Sequence, residues 1–397
     1  MSAYIVDWMS LLIRWLHVIT GIAWIGASFY FVWLDNHLKP VAADVAKRRG
    51  VHGDLWAVHG GGFYHSEKFL LGPQDRELPA QLHWFKWEAY WTWISGMLLL
   101  GLVYWYGATS FLIDSSVAAL SPVAGIAISV AVIALGWLIY DAVCRTITHE
   151  LALGAIIVVF VLFLDWLLFQ LFSARAAFIH VGAVLGTIMV ANVLFVIIPG
   201  QQQMVAAIRA GKPPDPRPGI QGKQRSVHNT YFTLPVLFIM ISSHYPMTYG
   251  HSYGWLVLAG ILCAGVLIRV YFVQRHTGKN RPVLFIAGLL LLAVIAVVIR
   301  PASLQERTGV AELDPVTTAD IVPVIQQHCT SCHSERTTDV VFLAAPMGVM
   351  FDTVDQIEAL APKIYQRTVV SKDMPLANNT SMTEDERALI GAWYAGR

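Results

Sequence analysis

Near its C-terminus the chain reads Cys329-Thr330-Ser331-Cys332-His333. Two thiols three residues apart, followed at once by an imidazole, is the spacing that attaches a c-type haem. Cys329 and Cys332 would add to the two vinyl groups as thioethers, and His333 would supply the proximal nitrogen to iron. Zinc is the competing use of a C-x-x-C pair, but it needs two further ligands nearby. The other cysteines, Cys144 and Cys263, lie far away in apolar segments. The distal ligand of a class I cytochrome c is usually a methionine some tens of residues downstream, and Met347, Met350, Met374 and Met382 all follow. Met374 precedes Pro375, whose fixed φ and missing N–H stiffen the loop. It is the expected ligand and Met347 the alternative, with core packing the plainer use for any of the four. Met/His ligation raises the iron potential, which suits an electron acceptor.

A haem domain needs helices to hold it. Thr318–Gln327 reads as a first helix, and Thr383-Glu384-Asp385-Glu386 is a capping box opening a last helix that carries Leu389, Ile390 and Trp393. A cytochrome c domain is expected over 317–397, with a linker over 301–316. The rest is strongly apolar. With 56% hydrophobic and 13% charged residues and a mean hydropathy of +0.56, the chain lies outside the ordinary globular range. Eight runs are long enough to span a bilayer as helices: 10–34, 86–107, 122–143, 151–172, 176–199, 230–246, 253–273 and 282–300. The sixth is short and contains Pro235. The expected fold class is therefore all-α: an eight-span bundle over 1–300, then a small class I cytochrome c. The net charge is +1, and no nucleic-acid partner is expected.

Basic residues orient the spans. The connection after span 1 carries Lys39, Lys47, Arg48, Arg49, Lys68, Arg76 and Lys86. Those after spans 5 and 7 carry Arg209, Lys212, Arg217, Lys223 and Arg225, and Arg275, Lys279 and Arg281. The connections after spans 2 and 6 have none, and that after span 4 has only Arg175. Odd connections then face the cytoplasm, while the N-terminus and residues 301–397 lie outside. Haem attachment requires the same side. The expectation is a multi-pass protein of a bacterial inner membrane, bathed in lipid, with its cytochrome domain in the periplasm.

Spans 1 and 5 each carry a histidine near the outer end, His17 and His180, followed by small residues. Spans 2 and 6 are each preceded by one at the inner end, His83 and His228. The halves thus form a weak parallel 4+4 repeat. Paired histidines at one depth could ligate a b-type haem, with Arg14 one turn from His17, or they could simply bond across helices. The first inner connection gathers His52, His59, His65, Glu67, Lys68 and His83 around Gly60-Gly61-Gly62. A metal site or a solvated loop are both open there. Asp165, deep in span 4, should face the interior as a pairing or proton-path residue.

Several stretches together resemble one family. Arg14–Asp35 (RWLHVITGIAWIGASFYFVWLD), Gly60–Leu71 (GGGFYHSEKFLL), the start of span 2 (LHWFKWEAYWTW) and the fused C-x-x-C-H domain look like the bacterial membrane-bound, cytochrome-c-fused urate oxidase family. The resemblance implies oxidation of urate to 5-hydroxyisourate in the membrane part. It also implies electron exit through the haem c to a respiratory-chain cytochrome c or terminal oxidase, without peroxide release. For such chemistry the inner cluster offers His65, Glu67, Lys68, His83 and His228, with Gln201, Gln202, Gln203 and Asn229 at the same depth; His83 or His65 would serve as base, and Lys68 with a glutamine would contact the anion and its edges. A site so far from the periplasm favours an intermediate carrier, such as a b haem at His17 and His180. A membrane-anchored electron-transfer cytochrome acting on quinol or a partner subunit is the alternative function.

Overall fold

A computed structural model describes residues 3–276, 278–300, 316–339, 341–342 and 344–397. The expected linker, apart from Val316, lies outside the described residues. All eight apolar runs are helical. They correspond to α1 (Ala3–His37), α3 (Trp87–Leu100), α4 (Pro122–Thr146), α5 (Glu150–Phe169), α6 (Ala174–Ala191) continuing into α7 (Ile198–Arg209), α8 (Arg217–Ser242), α10 (Gly254–His276) and α11 (Pro282–Val298). Short helices α2 (Ala43–Arg49) and α9 (Pro246–Tyr249) lie in connections. Side chains fix several starts: Ser121, His149 and Ser173 accept from the backbone N–H three residues on and cap α4, α5 and α6.

Among the described residues, five helices are long and apolar enough to cross a membrane: Tyr4–His37, Pro122–Thr146, Glu150–Phe169, Ala174–Arg209 and Gly254–Arg275. The others fall short for local reasons. Beyond Leu100, α3 loosens into π-helical turns at Gly101–Trp105 and Ala108–Leu112. The first half of α8 is polar, carrying Lys223 and Arg225, and α11 is apolar but short. The α6–α7 rod contains a π turn, Asn192–Ile197, directly before Pro199. Proline lacks the N–H that a regular turn would donate there, so the ladder slips.

The core is built around α6, where Phe178, Val181, Val184, Leu185 and Ile188 are buried. A helix apolar on all sides belongs inside a bundle. It packs against α4, α5 and α8, while α1 lies at the edge against α3. Large apolar side chains of α1, such as Tyr4, Trp15 and Ile22, point outward.

The all-α expectation needs one correction. Residues read as an inner loop form an antiparallel hairpin, β1 (Val51–His59) and β2 (Gly62–Phe69), with Trp56 opposite His65 and Asp54 opposite Glu67. Gly60 and Gly61 adopt φ of 58° and 82°, the left-handed pair that a two-residue hairpin turn requires.

The C-terminal residues pack a separate core. Helices α12 (Thr318–His328), α13 (Val354–Ala359), α14 (Ala361–Tyr365) and α15 (Glu384–Ala395) enclose Ile321, Ile325, Ile357, Ile364, Ile390 and Trp393. Both expected helices are present. The capping box of α15 forms between Thr383 and Glu386, and Trp393 Nε1 donates to Thr318 Oγ1 at 3.1 Å, tying last helix to first.

Candidate functional site

The C-x-x-C-H segment follows α12 as a tight turn, with the N–H groups of Cys332 and His333 donating to Cys329 O at 3.2 and 2.9 Å. The His333 ring places Nδ1 3.0 Å from Val349 O. A donated Nδ1–H leaves Nε2 as the ligating nitrogen, the orientation that a backbone carbonyl imposes on a metal-bound histidine. Burial lowers the imidazole below its usual value, so it is neutral near pH 7. Burial also pushes the Cys329 and Cys332 thiols up, to about 12 and about 11. Zinc needs further ligands beside the two cysteines, and among the described residues no three His, Cys, Asp or Glu side chains converge as a metal cluster. These residues fit a covalent haem better than a zinc ion.

The methionines separate by environment. Met347 is 96% exposed and Met382 is buried in the core. Met374 is half-buried, its N–H donating to Arg367 O at 3.1 Å and its carbonyl accepting from Arg387 Nη1 at 2.9 Å. Of these three, only Met374 sits on a braced loop with a partly accessible side chain.

The sequence-chosen residues of the membrane part fall into separate groups. On the hairpin, His65 Nε2 lies 2.7 Å from Asp54 Oδ2 and the ring stacks on Trp56 at 4.4 Å. Glu67 pairs with Arg49 at 2.8 Å and with Arg76 at 3.0 Å, and Lys68 with Asp35 at 2.6 Å. His83 is exposed and meets Phe85 edge-on. None of these contacts reaches His228.

His17 and His180 also differ. His17 Nδ1 donates towards Thr92 O at 3.0 Å and Ser95 Oγ at 3.1 Å on α3, leaving Nε2. His180 is fully buried with both nitrogens engaged: Nδ1 on Ala176 O and Nε2 on Ser129 Oγ, each at 2.7 Å. Ser129 also accepts from Trp105 Nε1. A haem iron at His180 would have to displace that serine, so the pair does not fit a bis-histidine haem as it stands. Asp165 is buried, and neither carboxylate oxygen has a hydrogen-bond partner among the described residues.

His228 belongs to a constellation that sequence reasoning largely missed. Its Nδ1 lies 2.7 Å from Tyr140 OH, and the same hydroxyl accepts from Asn192 Nδ2 at 3.1 Å. Asn192 also donates to Asn229 Oδ1 at 2.9 Å. Buried Arg225 donates to Asp141 Oδ1 at 2.7 Å and lies over the Tyr140 ring at 5.1 Å. A phenol, two amides, a guanidinium and an imidazole thus meet between α4, α8 and the π turn after α6. The available signal was a set of polar residues at helical spacing: Arg225, His228 and Asn229 on one face, and Asn192 inside an apolar run. With Nδ1 turned to Tyr140, Nε2 of half-buried His228 is the nitrogen left for a ligand.

The family model described as urate oxidase N-terminal matches residues 3–300. The chain belongs to this family. No curated protein and no solved structure matches it. Family membership makes the chain a urate-related oxidoreductase, and the matched segment ends where the bundle ends, before the C-x-x-C-H unit.

Proposed function

We propose that the chain is a membrane-bound urate oxidase that oxidises urate to 5-hydroxyisourate in an eight-span bundle. The electrons leave through a haem c attached at Cys329 and Cys332 and ligated by His333 and Met374. The family match over the bundle carries this reading. Urate and water give 5-hydroxyisourate, two protons and two electrons, so a one-electron haem is reduced twice per substrate.

Among the catalytic candidates, His228 has the setting the chemistry needs. A planar anion calls for amide edges, a cation and an aromatic face, which Asn192, Asn229, Arg225 and Tyr140 supply. His228 takes the proton through Nε2 while Tyr140 holds Nδ1. The haem, when attached, supplies the one-electron acceptor; the protein's part is to hold His333 by Val349 and to seat Met374 between Arg367 and Arg387. The outward apolar faces of α1 contact lipid, and the C-terminal unit lies in the periplasm, within reach of a respiratory cytochrome c or terminal oxidase.

Adding urate anaerobically to purified membranes tests the reading. Reduction of the c-haem absorption bands, with about two haem equivalents per urate, is the expected result. Reduction by a quinol but not by urate would replace it with an electron-transfer cytochrome.

A further inference from the structure

The C-terminal unit docks on the end of the bundle formed by the even-numbered connections. Phe342 meets Phe111 at 6.1 Å between ring centroids, and Ser371 O lies against Gly250. The contact encloses a polar cleft of about 230 Å³ lined by three arginines: Arg175 of α6, and Arg367 and Arg387 of the C-terminal unit.

Their donors are unequally engaged. Arg387 is buried and donates to the carbonyls of Thr368 and Met374 and to Asn378 Oδ1. Arg367 pairs with Asp373 at 2.5 Å, yet its Nε is buried without a hydrogen-bond partner among the described residues. Arg175 Nε is in the same state. The Arg175 guanidinium lies 5.3 Å from the Phe111 centroid and bonds the Tyr104 hydroxyl, but no ion pair holds it among the described residues. A buried donor left unmade costs about 1–3 kcal/mol, more when charged. Two such donors on one cleft call for an anionic acceptor that the side chains present do not provide. Asp373 is held by Arg367, Glu384 by Lys372 at 2.5 Å, and Asp114 by Ser116.

The position of the cleft says which anion. Met374 is braced by Arg367 and Arg387, as above. Arg367 and Arg387 therefore stand beside the expected distal ligand, and Arg175 lines the same cleft from the bundle. We propose that Arg175 and Arg367 receive the carboxylates of the haem bound at Cys329 and Cys332, so that a helix of the membrane part completes the haem site. This rests on the haem c reading above.

The experiment uses the full-length chain in detergent or nanodiscs: potentiometric titration of the c-haem band in wild type, Arg175→Gln, Arg175→Lys and Arg367→Gln, with KM for urate measured alongside. Removing a cation beside the haem disfavours the reduced iron. Arg175→Gln and Arg367→Gln should each lower the midpoint potential, with a several-fold fall in the equilibrium constant for reduction, tenfold corresponding to about 59 mV for one electron. Arg175→Lys, which keeps the charge, should shift it less, and KM should not move. An unchanged potential with a raised KM would show that the cleft holds the urate anion instead, and no change in either would remove the anion site. Pyridine haemochrome analysis of the same samples keeps the two readings apart. Absence of c haem would overturn the haem assignment itself, whereas an unmoved potential with c haem present overturns only the role of Arg175 and Arg367.

Discussion

The two ends of the bundle hold comparable numbers of charged side chains but use them differently. At the hairpin end, His65 faces Asp54, Glu67 is shared by Arg49 and Arg76, and Lys68 reaches Asp35. Each of these side chains has a protein partner, and the pairs are partly exposed. At the opposite end, Arg175 and Arg367 carry buried donors that nothing described accepts. Residue types alone make the hairpin look like the active region, since it collects histidine, carboxylate, lysine and glycine. Partner accounting reverses the ranking. A surface cluster that satisfies itself keeps no donor for a ligand, whereas buried guanidinium donors left open call for one, and in the network between α4 and α8 it is Nε2 of His228 that stays open.

The largest effect that tests this contrast comes from the haem attachment itself. Cys329→Ser with Cys332→Ser should abolish covalent haem, leave no c-type pyridine haemochrome, and remove all reduction by urate. A protein that still turned over urate with the same acceptor would have its electron exit elsewhere. Next in size is a direct competition between the buried network and the hairpin. His228→Ala should lower kcat/KM for urate by about 10²–10⁴, the usual contribution of a positioned general base. His65→Ala should change it by less than about fivefold, since a surface ion pair is worth about 0.2–1 kcal/mol. The opposite ranking would move the substrate site to the hairpin.

Legibility in the sequence followed the strength of the physical signal. Eight apolar runs became eight helical segments because burial and lipid both demand continuous apolar length, and the capping box at Thr383–Glu386 formed because its residues are local. The hairpin was missed although Gly60-Gly61 marks its turn. Val51–His59 mixes His, Asp and Gly into the strand, and that alternation is too irregular to read as one buried face. Spans 1 and 5 do share a histidine at matching positions, but a repeat in sequence does not fix the partner. His17 bonds to α3, whereas His180 bonds to α4. His228 could be picked out because a histidine just before an apolar run is conspicuous. Asn192 shows in sequence only as an amide inside an apolar run, and its meeting with Tyr140 could not be read because it depends on how α4, α6 and α8 cross.

The docking of the two units gives the third prediction. A Cβ on Gly250 would stand 1.8 Å from Ser371 O, with Pro246 O on its other side at 3.0 Å. Both obstacles are backbone, so no rotamer change relieves them. Gly250→Ala should therefore push the C-terminal unit away from the bundle, at a cost of about 1–3 kcal/mol for an overpacked contact. Stopped-flow mixing with urate would then show slower haem reduction while the haem spectrum stays that of the wild type. Unchanged kinetics would mean that electrons do not enter through this face.

The smallest effect is expected where the hairpin looks most engaged. The Lys68–Asp35 pair has a 2.6 Å contact, but its side chains are 31% and 41% exposed. Water and salt screen such a pair, and holding two flexible side chains in one geometry has an entropic cost that offsets much of the attraction. A double-mutant cycle with Lys68→Ala and Asp35→Ala, read by thermal unfolding in detergent, should give a coupling of about 0.2–1 kcal/mol. Raising the ionic strength towards 1 M, where the screening length falls to about 3 Å, should reduce it further. A coupling of several kcal/mol, insensitive to salt, would mean that the pair is shielded in the assembled protein. The hairpin end would then be an interface or a closed site, and its charges would no longer contrast with those of the arginine cleft.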